Sequence, residues 1–128
     1  MKPELMNALT LAYIGDAVFE VRVRDYLVNE LNILKVNDLQ KASVLFVSAK
    51  AQAAFIHKAL EEEWLSEDEV RLYKRGRNTK GHNVKNKSIL THNQSSGFEA
   101  VIGYLHMIGD EARIDEIFEK YVGFVQLV

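Results

Sequence analysis

Proline is almost absent from this sequence, and its absence leaves long stretches of chain free to form helices. The one proline among 128 residues is Pro3, a position compatible with the first turn of a helix. No segment shows the sustained alternation of apolar and polar residues that is typical of a half-buried strand. The length suits one domain with its own core. We therefore expect one all-α domain over residues 1–128, with about six to seven helices.

Capping residues and apolar spacing predict where these helices begin and end. Ser48 is a candidate N-cap, and two segments resemble capping boxes: Asn37 with Gln40, and Ser66 with Glu69. The segment 76–94 is rich in Asn, Lys, Thr and His and has little apolar periodicity, so we expect a basic loop there. The predicted helices cover residues 3–28, 38–47, 48–64, 66–76, 96–108 (stopped at Gly109) and 111–125.

Composition excludes several classes of protein. The chain has no cysteine, which excludes disulfides, thiolate metal sites and cysteine nucleophiles. No apolar run approaches the length of a membrane span, and the N-terminus lacks the apolar core of a signal peptide. We therefore expect a soluble, cytoplasmic protein without a membrane partner.

Charge is distributed unevenly along the chain. The net charge is −2, but the segment 70–98 contains seven basic residues and no acid. The remainder carries nine basic residues and all eighteen acids. This pattern indicates a local binding site for a polyanion on an otherwise acidic protein.

Two acids lie where the first helix should be apolar. Asp16 and Glu20 continue a stripe with helical spacing whose other members are Leu9, Tyr13, Val23 and Leu27. A buried carboxylate is costly unless it is neutralised, paired or bound to a cation. The alternative is that these acids form ion pairs with arginines of the same helix, Arg22 or Arg24, or with a lysine of another helix.

A second acid has similar surroundings. Glu99 lies in the apolar segment Phe98–Gly103, and, like Asp16, it is followed by Ala-Val. Two such acids on two buried helices could converge on Mg²⁺, which prefers oxygen ligands and retains several waters. Together they could activate water for phosphodiester hydrolysis. The alternative is structural, since Ser96 and Glu99 also have the spacing of a capping box.

The basic segment supplies candidate contacts to nucleic acid. It contains almost no aromatic residues, which argues against base stacking on single strands and favours contacts to a duplex backbone. The alternative is a solvated loop. The candidate RNA-binding residues are Arg75, Arg77, Asn78, Lys80, Lys85 and Lys87.

These residues resemble the ribonuclease III family. The segment Leu11–Val18 is similar to the signature helix of its catalytic domain, and Phe98–Gly103 is similar to its second acidic motif. The closest resemblance is to the Mini-ribonuclease III subfamily, which consists of the catalytic domain without a double-stranded-RNA-binding domain. Further segments resemble that subfamily: 41–43, 48–53 and 75–78.

The resemblance implies a helical homodimer that cleaves double-stranded RNA with Mg²⁺ and leaves 5′-phosphate and 3′-hydroxyl ends. It implies the stem of the 23S ribosomal RNA precursor as substrate, and it is compatible with a large-subunit ribosomal protein as a partner. Asp16 and Glu99 carry over as catalytic and metal-binding acids. Tyr13 matches an aromatic position near the dimer contact.

The chain departs from longer ribonuclease III enzymes at two acidic positions. Ala12 stands where those enzymes have a glutamate, and Ser96 stands where they have an aspartate. The site therefore offers two carboxylates instead of four, so more of the metal coordination has to come from water and RNA phosphate.

Two rival functions remain open from the sequence. One is an inactive RNA-binding or ribosome-assembly module that has kept the fold. The other is an all-α nucleotide pyrophosphohydrolase that uses the acids of 61–63 and 67–69 around Mg²⁺. The second requires both acid clusters to face inward on adjacent turns.

Overall fold

The computed structural model describes residues 2–79 and 86–127, and every regular element in these ranges is helical. A 3-10 turn, Pro3–Leu5, precedes six α-helices, which confirms the predicted all-α class. No helix within these ranges is long and apolar enough to cross a membrane. The α-helices are α1 (Ala8–Asn29), α2 (Val36–Val47), α3 (Ala49–Glu61), α4 (Glu67–Asn78), α5 (Lys87–Met107) and α6 (Glu111–Leu127).

Several predicted helix ends are confirmed by their capping hydrogen bonds. The Ser48 hydroxyl accepts from the Ala51 amide at 3.1 Å. Ser66 and Glu69 form a reciprocal capping box, with distances of 2.9 and 3.1 Å. Gly109 follows α5 with a φ of 80°, a left-handed conformation that glycine adopts without a steric penalty.

Other helix ends differ from the prediction. Pro3 belongs to the separate 3-10 turn, and α1 begins at Ala8 with Asn7 as its N-cap. The capping box predicted at Asn37 is wrong, because α2 begins at Val36 after Lys35. Helix α3 ends at Glu61 instead of residue 64, and Glu63 turns the chain with a φ of 52°. Helix α4 runs to Asn78, two residues beyond its predicted end.

The largest difference concerns α5. This helix begins at Lys87, with the Asn86 side chain accepting from the Ile89 amide at 2.9 Å. Residues 87–94 of the predicted basic loop are therefore helical, and residues 80–85 lie outside the described ranges. The apolar pattern is weak because α5 also buries polar and small residues, among them Asn93, Ser95 and Gly97.

Helix α5 is the centre of the bundle and packs against α1, α3 and α4. The face of α1 that meets the core contains Leu11, Gly15, Phe19 and Val23, all buried. Of the stripe that the sequence predicted, Val23 and Leu27 are therefore buried in the core, whereas Tyr13 is not. Tyr13 is 81% exposed, and Asp16 is exposed as well.

A cluster of aromatic rings joins the helices at the core. The Phe19 ring lies edge-on to Phe98 and Tyr121, with centroids 5.2 and 4.8 Å apart. The Tyr121 hydroxyl donates to the Phe46 carbonyl at 2.6 Å. Edge-to-face contacts of this kind add to the stabilisation from burial. The Phe19–Phe98 contact joins α1 to α5, and Tyr121 connects α6 to both α1 and α2.

Candidate active site

Two glycines bring α1 and α5 into direct backbone contact. A Cβ atom on Gly15 would lie 1.8 Å from the Glu99 carbonyl oxygen, and one on Gly103 would lie 1.8 Å from the Leu11 carbonyl oxygen. Neither position can hold a larger residue without a backbone shift. Both glycines flank the acidic motifs, so this contact is what places Asp16 of α1 beside Glu99 of α5.

The Glu99 carboxyl group is hard to ionise in this setting. Burial raises its pKa, the hydrogen bond and the charge of Asp16 raise it further, and Glu20 adds a smaller effect of the same sign. A hydrogen bond from Gln52 acts in the opposite direction, and the resulting pKa is about 8. Shared or adjacent carboxylates produce such shifts because two like charges in contact oppose ionisation.

No cationic side chain compensates this pair within the described ranges. The ion pairs there, with N–O distances up to 4.0 Å, involve neither Asp16 nor Glu99. The ion-pair alternative holds for Glu20, which pairs with Arg24 at 2.9 Å. Arg22 instead binds acids of α6, Glu111 and Asp115. Asp16 and Glu99 are therefore acids that face each other rather than a base.

The capping interpretation of Glu99 is wrong. Helix α5 begins at Lys87 and continues through both Ser96 and Glu99, so neither residue lies at a helix start. Ser96 is a buried residue in the middle of the helix. The two residues have the spacing of a capping box, but this spacing predicts a cap only where a helix begins.

Gln52 is a site residue that the motif analysis did not assign. Its side chain is 1% exposed on α3, and its carbonyl oxygen accepts a hydrogen bond from the Ser95 hydroxyl of α5. The same side chain acts as a hydrogen-bonding neighbour that lowers the pKa of Glu99. The available signal was a glutamine on the buried face of an alanine-rich helix, among Ala53, Ile56 and other apolar residues.

The donor set fits a hard divalent cation. Asp16 and Glu99 provide carboxylate oxygens, which Mg²⁺ prefers, and Asp16 is open to solvent. No group of three or more His, Cys, Asp or Glu residues suited to a metal occurs in the described part of the chain. The two carboxylates would hold the ion with ligands completed by water and substrate.

The predicted RNA-binding residues are placed differently from one another. Arg75 is half-buried, and its guanidinium donates to the carbonyl oxygens of Glu4 (3.0 Å) and Met6 (2.6 Å). Arg77 lies over the Tyr73 ring, 5.4 Å from its centroid, and donates to the Asn78 side chain at 3.0 Å. Lys87 is exposed at the start of α5. Lys80 and Lys85 lie outside the described residues.

The acids of 61–63 and 67–69 do not form the site required for a pyrophosphohydrolase. Glu61 pairs with His57 at 2.9 Å, Glu62 pairs with Lys120 at 3.6 Å, and Asp68 pairs with Arg71 at 2.8 Å. Glu69 points inward, where Arg113 binds it. Four of the six acids are thus used in separate ion pairs, and the described residues contain no group of three or more acids or histidines suited to a metal.

Known proteins resemble this chain in sequence and in fold. The model of the Ribonuclease III domain family matches residues 9–110. Mini-ribonuclease 3 of Clostridium tetani is 41% identical over 122 residues, covering 94% of this chain and 80% of the relative. Mini-ribonuclease 3 of Staphylococcus aureus is 42% identical and covers 95% and 91%.

A crystal structure of a Fusobacterium nucleatum protein has the same fold. It superposes with a TM-score of 0.77 over 93% of both chains, at 23% sequence identity. At this identity the similarity supports the helical fold alone. The sequence relatives carry the family assignment.

Proposed function

This chain belongs to the ribonuclease III family, with Mini-ribonuclease 3 proteins as its relatives, and we propose that it cleaves double-stranded RNA by Mg²⁺-dependent hydrolysis. The observation that carries the proposal is the pairing of Asp16 with Glu99 at the Gly15–Gly103 contact, without a cationic neighbour among the described side chains. The proposed products carry 5′-phosphate and 3′-hydroxyl ends.

Asp16 and Glu99 are the proposed catalytic and metal-binding residues. A bound Mg²⁺ supplies positive charge at the scissile phosphate and makes a water ligand more acidic. Asp16 is exposed and can be reached from solvent, whereas Glu99 is half-buried behind it. Because the pKa of Glu99 is about 8, this carboxyl group has to release a proton before both acids can act as anions.

The surface beside the site supports a homodimer. Helix α1 leaves a second apolar stripe exposed, which contains Tyr13, Ala17, Val21 and Val28. A two-fold axis along this stripe would pair two sites across a duplex, one for each strand.

Sedimentation tests this arrangement. We expect the wild type to be a dimer and Tyr13→Glu to be a monomer. Leu5→Glu, which changes another exposed apolar residue, is the control that should stay dimeric. A stable, active wild-type monomer would contradict this arrangement.

The proposed RNA path follows the basic residues near α4 and α5. Lys87 is exposed, and Arg77, Asn78, Lys80 and Lys85 complete the candidate phosphate contacts. Arg75 is the sixth candidate, and we expect it to contribute least because its guanidinium already donates to two backbone carbonyls.

The finer points of the proposal rest on the family resemblance. They are a single catalytic domain over 1–128, the stem of the 23S ribosomal RNA precursor as substrate, a cytoplasmic location, and a large-subunit ribosomal protein as a partner. A precursor stem cut more efficiently than an unrelated duplex of equal length would support the substrate assignment.

The test is cleavage of a labelled precursor stem by purified protein, with Mg²⁺ or with a chelator. We expect Asp16→Asn and Glu99→Gln to reduce the cleavage rate by at least about 10³-fold while RNA binding persists, since each removes a metal-binding charge. Asp25→Asn, a change of an exposed aspartate on the same helix, is the matched control. Binding of the stem without cleavage by the wild type would favour the inactive RNA-binding module.

A further inference from the structure

We propose that Gln52 is a positioning residue that holds the Glu99 carboxyl group in its orientation for cleavage, and that Ser95 fixes the amide of Gln52 for this role. The inference rests on the proposed function, because it assigns a residue to the same site. It adds a third helix, α3, to a site whose acids come from α1 and α5.

The hydrogen bonds define which way the Gln52 amide faces. The Ser95 hydroxyl faces the Gln52 carbonyl oxygen. An amide oxygen can only accept, so the hydroxyl is the donor in this bond. The nitrogen end is then free to donate to the Glu99 carboxyl group, whose pKa the Gln52 side chain lowers. Ser95 and Glu99 are four residues apart on α5, so both lie on the face that α3 contacts.

Burial makes this arrangement costly to lose. Gln52 is 1% exposed and Ser95 is 7% exposed, so water cannot readily replace either partner. A buried amide without hydrogen-bond partners destabilises a fold. Every fully buried side-chain polar atom in the described ranges has a partner. The observed partner of Gln52, Ser95, belongs to α5, and the proposed second partner is Glu99 of the same helix.

An uncharged donor suits this position. Glu99 already faces Asp16 and Glu20, whose charges oppose its ionisation. An arginine or lysine at residue 52 would favour the ionised carboxylate, but it would also occupy that carboxylate as an ion pair and compete with a cation. An amide donates a hydrogen bond and leaves the negative charge uncompensated. Gln52 can therefore orient Glu99 without neutralising it.

The variant Gln52→Met tests the proposal, because methionine keeps similar length and removes both hydrogen bonds. Partners that orient metal-site ligands typically contribute 10- to 100-fold to activity. We expect kcat on duplex RNA to fall by about 10- to 100-fold and KM to stay within about twofold. The unchanged KM follows from the burial of Gln52, which keeps it from touching RNA.

Ser48→Ala is the matched control for a purely structural effect. Ser48 caps the same helix, so its loss should lower Tm and leave kcat per folded molecule unchanged. Ser95→Ala is the milder companion variant, used because it removes only the bond that orients the amide. We expect it to lower kcat less than Gln52→Met does.

A second measurement does not depend on cleavage. In ¹H–¹⁵N NMR spectra of the metal-free protein, we expect Glu99→Ala to shift the side-chain amide signals of Gln52, and Ser48→Ala to leave them in place. Unshifted Gln52 signals would overturn the proposal. Wild-type kcat values in both the Gln52→Met and the Ser95→Ala proteins would also overturn it. A wild type that cleaves no duplex RNA would instead refute the proposed function, and the NMR result would still report on the Gln52–Glu99 bond.

Discussion

Glu69 on α4 and Glu99 on α5 are both withdrawn from solvent, yet their surroundings have opposite effects on ionisation. Burial acts against the charge of Glu69, but hydrogen bonds from Arg113 and Ser66 outweigh it and lower the pKa. The Arg113 guanidinium binds both carboxylate oxygens, at 2.8 and 2.9 Å. At Glu99 burial acts together with Asp16, and the pKa rises to about 8.

The difference indicates that partners, and not burial, separate the structural acid Glu69 from the proposed catalytic acid Glu99. Glu69 is the more deeply buried of the two, at 3% exposed. Its carboxylate forms an ion pair with Arg113 that joins α4 to α6. Glu99 is placed among other acids, which lowers stability and leaves a carboxylate for a cation. Acids whose pKa values are raised by desolvation and like charges concentrate at functional sites.

Breaking the α1–α5 contact should have the largest effect on stability. We expect Gly15→Ala to destabilise the protein by about 3 kcal/mol or more, because its Cβ would meet backbone atoms of Glu99 and Gly103. Cleavage should be lost with it. Gly123→Ala is the control, since nothing lies within 4 Å of its Cβ. It should be neutral or stabilising by about 0.5–1 kcal/mol, and equal denaturation midpoints for both variants would contradict the role of the contact.

Removing the carboxylate of Glu69, which pairs with Arg113, should have the next largest effect on stability. We expect Glu69→Gln to lower the free energy of unfolding by about 2–3 kcal/mol at pH 7, because Arg113 is left partly buried without its charge partner. The rate of cleavage per folded molecule should be unchanged. Urea denaturation and a single-turnover assay measure the two quantities. A loss of activity without a loss of stability would place Glu69 in the site.

Removing the carboxylate of Glu99, in contrast to that of Glu69, should increase the free energy of unfolding at high pH. The pKa of Glu99 is about 8 in the fold against an ordinary value of 4.5, so the folded state retains a proton that the unfolded chain has lost. The stability of the wild type therefore decreases as pH rises from 4.5 to 8. We expect Glu99→Gln to be more stable than the wild type by about 1–2 kcal/mol at pH 9, which is less than the full shift implies because solvent screens a half-buried carboxyl group. The two proteins should be nearly equal in stability at pH 4. Equal Tm values across this pH range would contradict the raised pKa.

The smallest effects should separate structural from binding cations. If Arg77 contacts a phosphate, Arg77→Gln should reduce the slope of log affinity against log salt by roughly 0.7–0.9. We expect a smaller change in slope from Arg75→Gln, together with a lower Tm, because Arg75 anchors the segment before α1. Filter binding at several salt concentrations and thermal melts measure both. Identical slopes for the two variants would remove the distinction.

Much of this molecule is encoded in short stretches of sequence. The helical class, the caps at Ser48 and Ser66, and the stop at Gly109 follow from interactions between residues a few positions apart. Asp16 and Glu99 could be identified as unusual because acids in apolar helical segments need a reason. The family resemblance rests on the same two segments.

Tertiary contacts decided the rest. Helix α1 has two apolar stripes, and only its packing against α5 and α6 determines that Leu11 and Phe19 are buried while Tyr13 is exposed. The contact of Gln52 with Ser95 also depends on tertiary packing, because α3 and α5 cover both polar side chains. The reason is physical: caps and helix propensity act within about one turn of chain, whereas the burial of a face, the partner of Arg75 and the meeting of Asp16 with Glu99 depend on residues about seventy to eighty positions away.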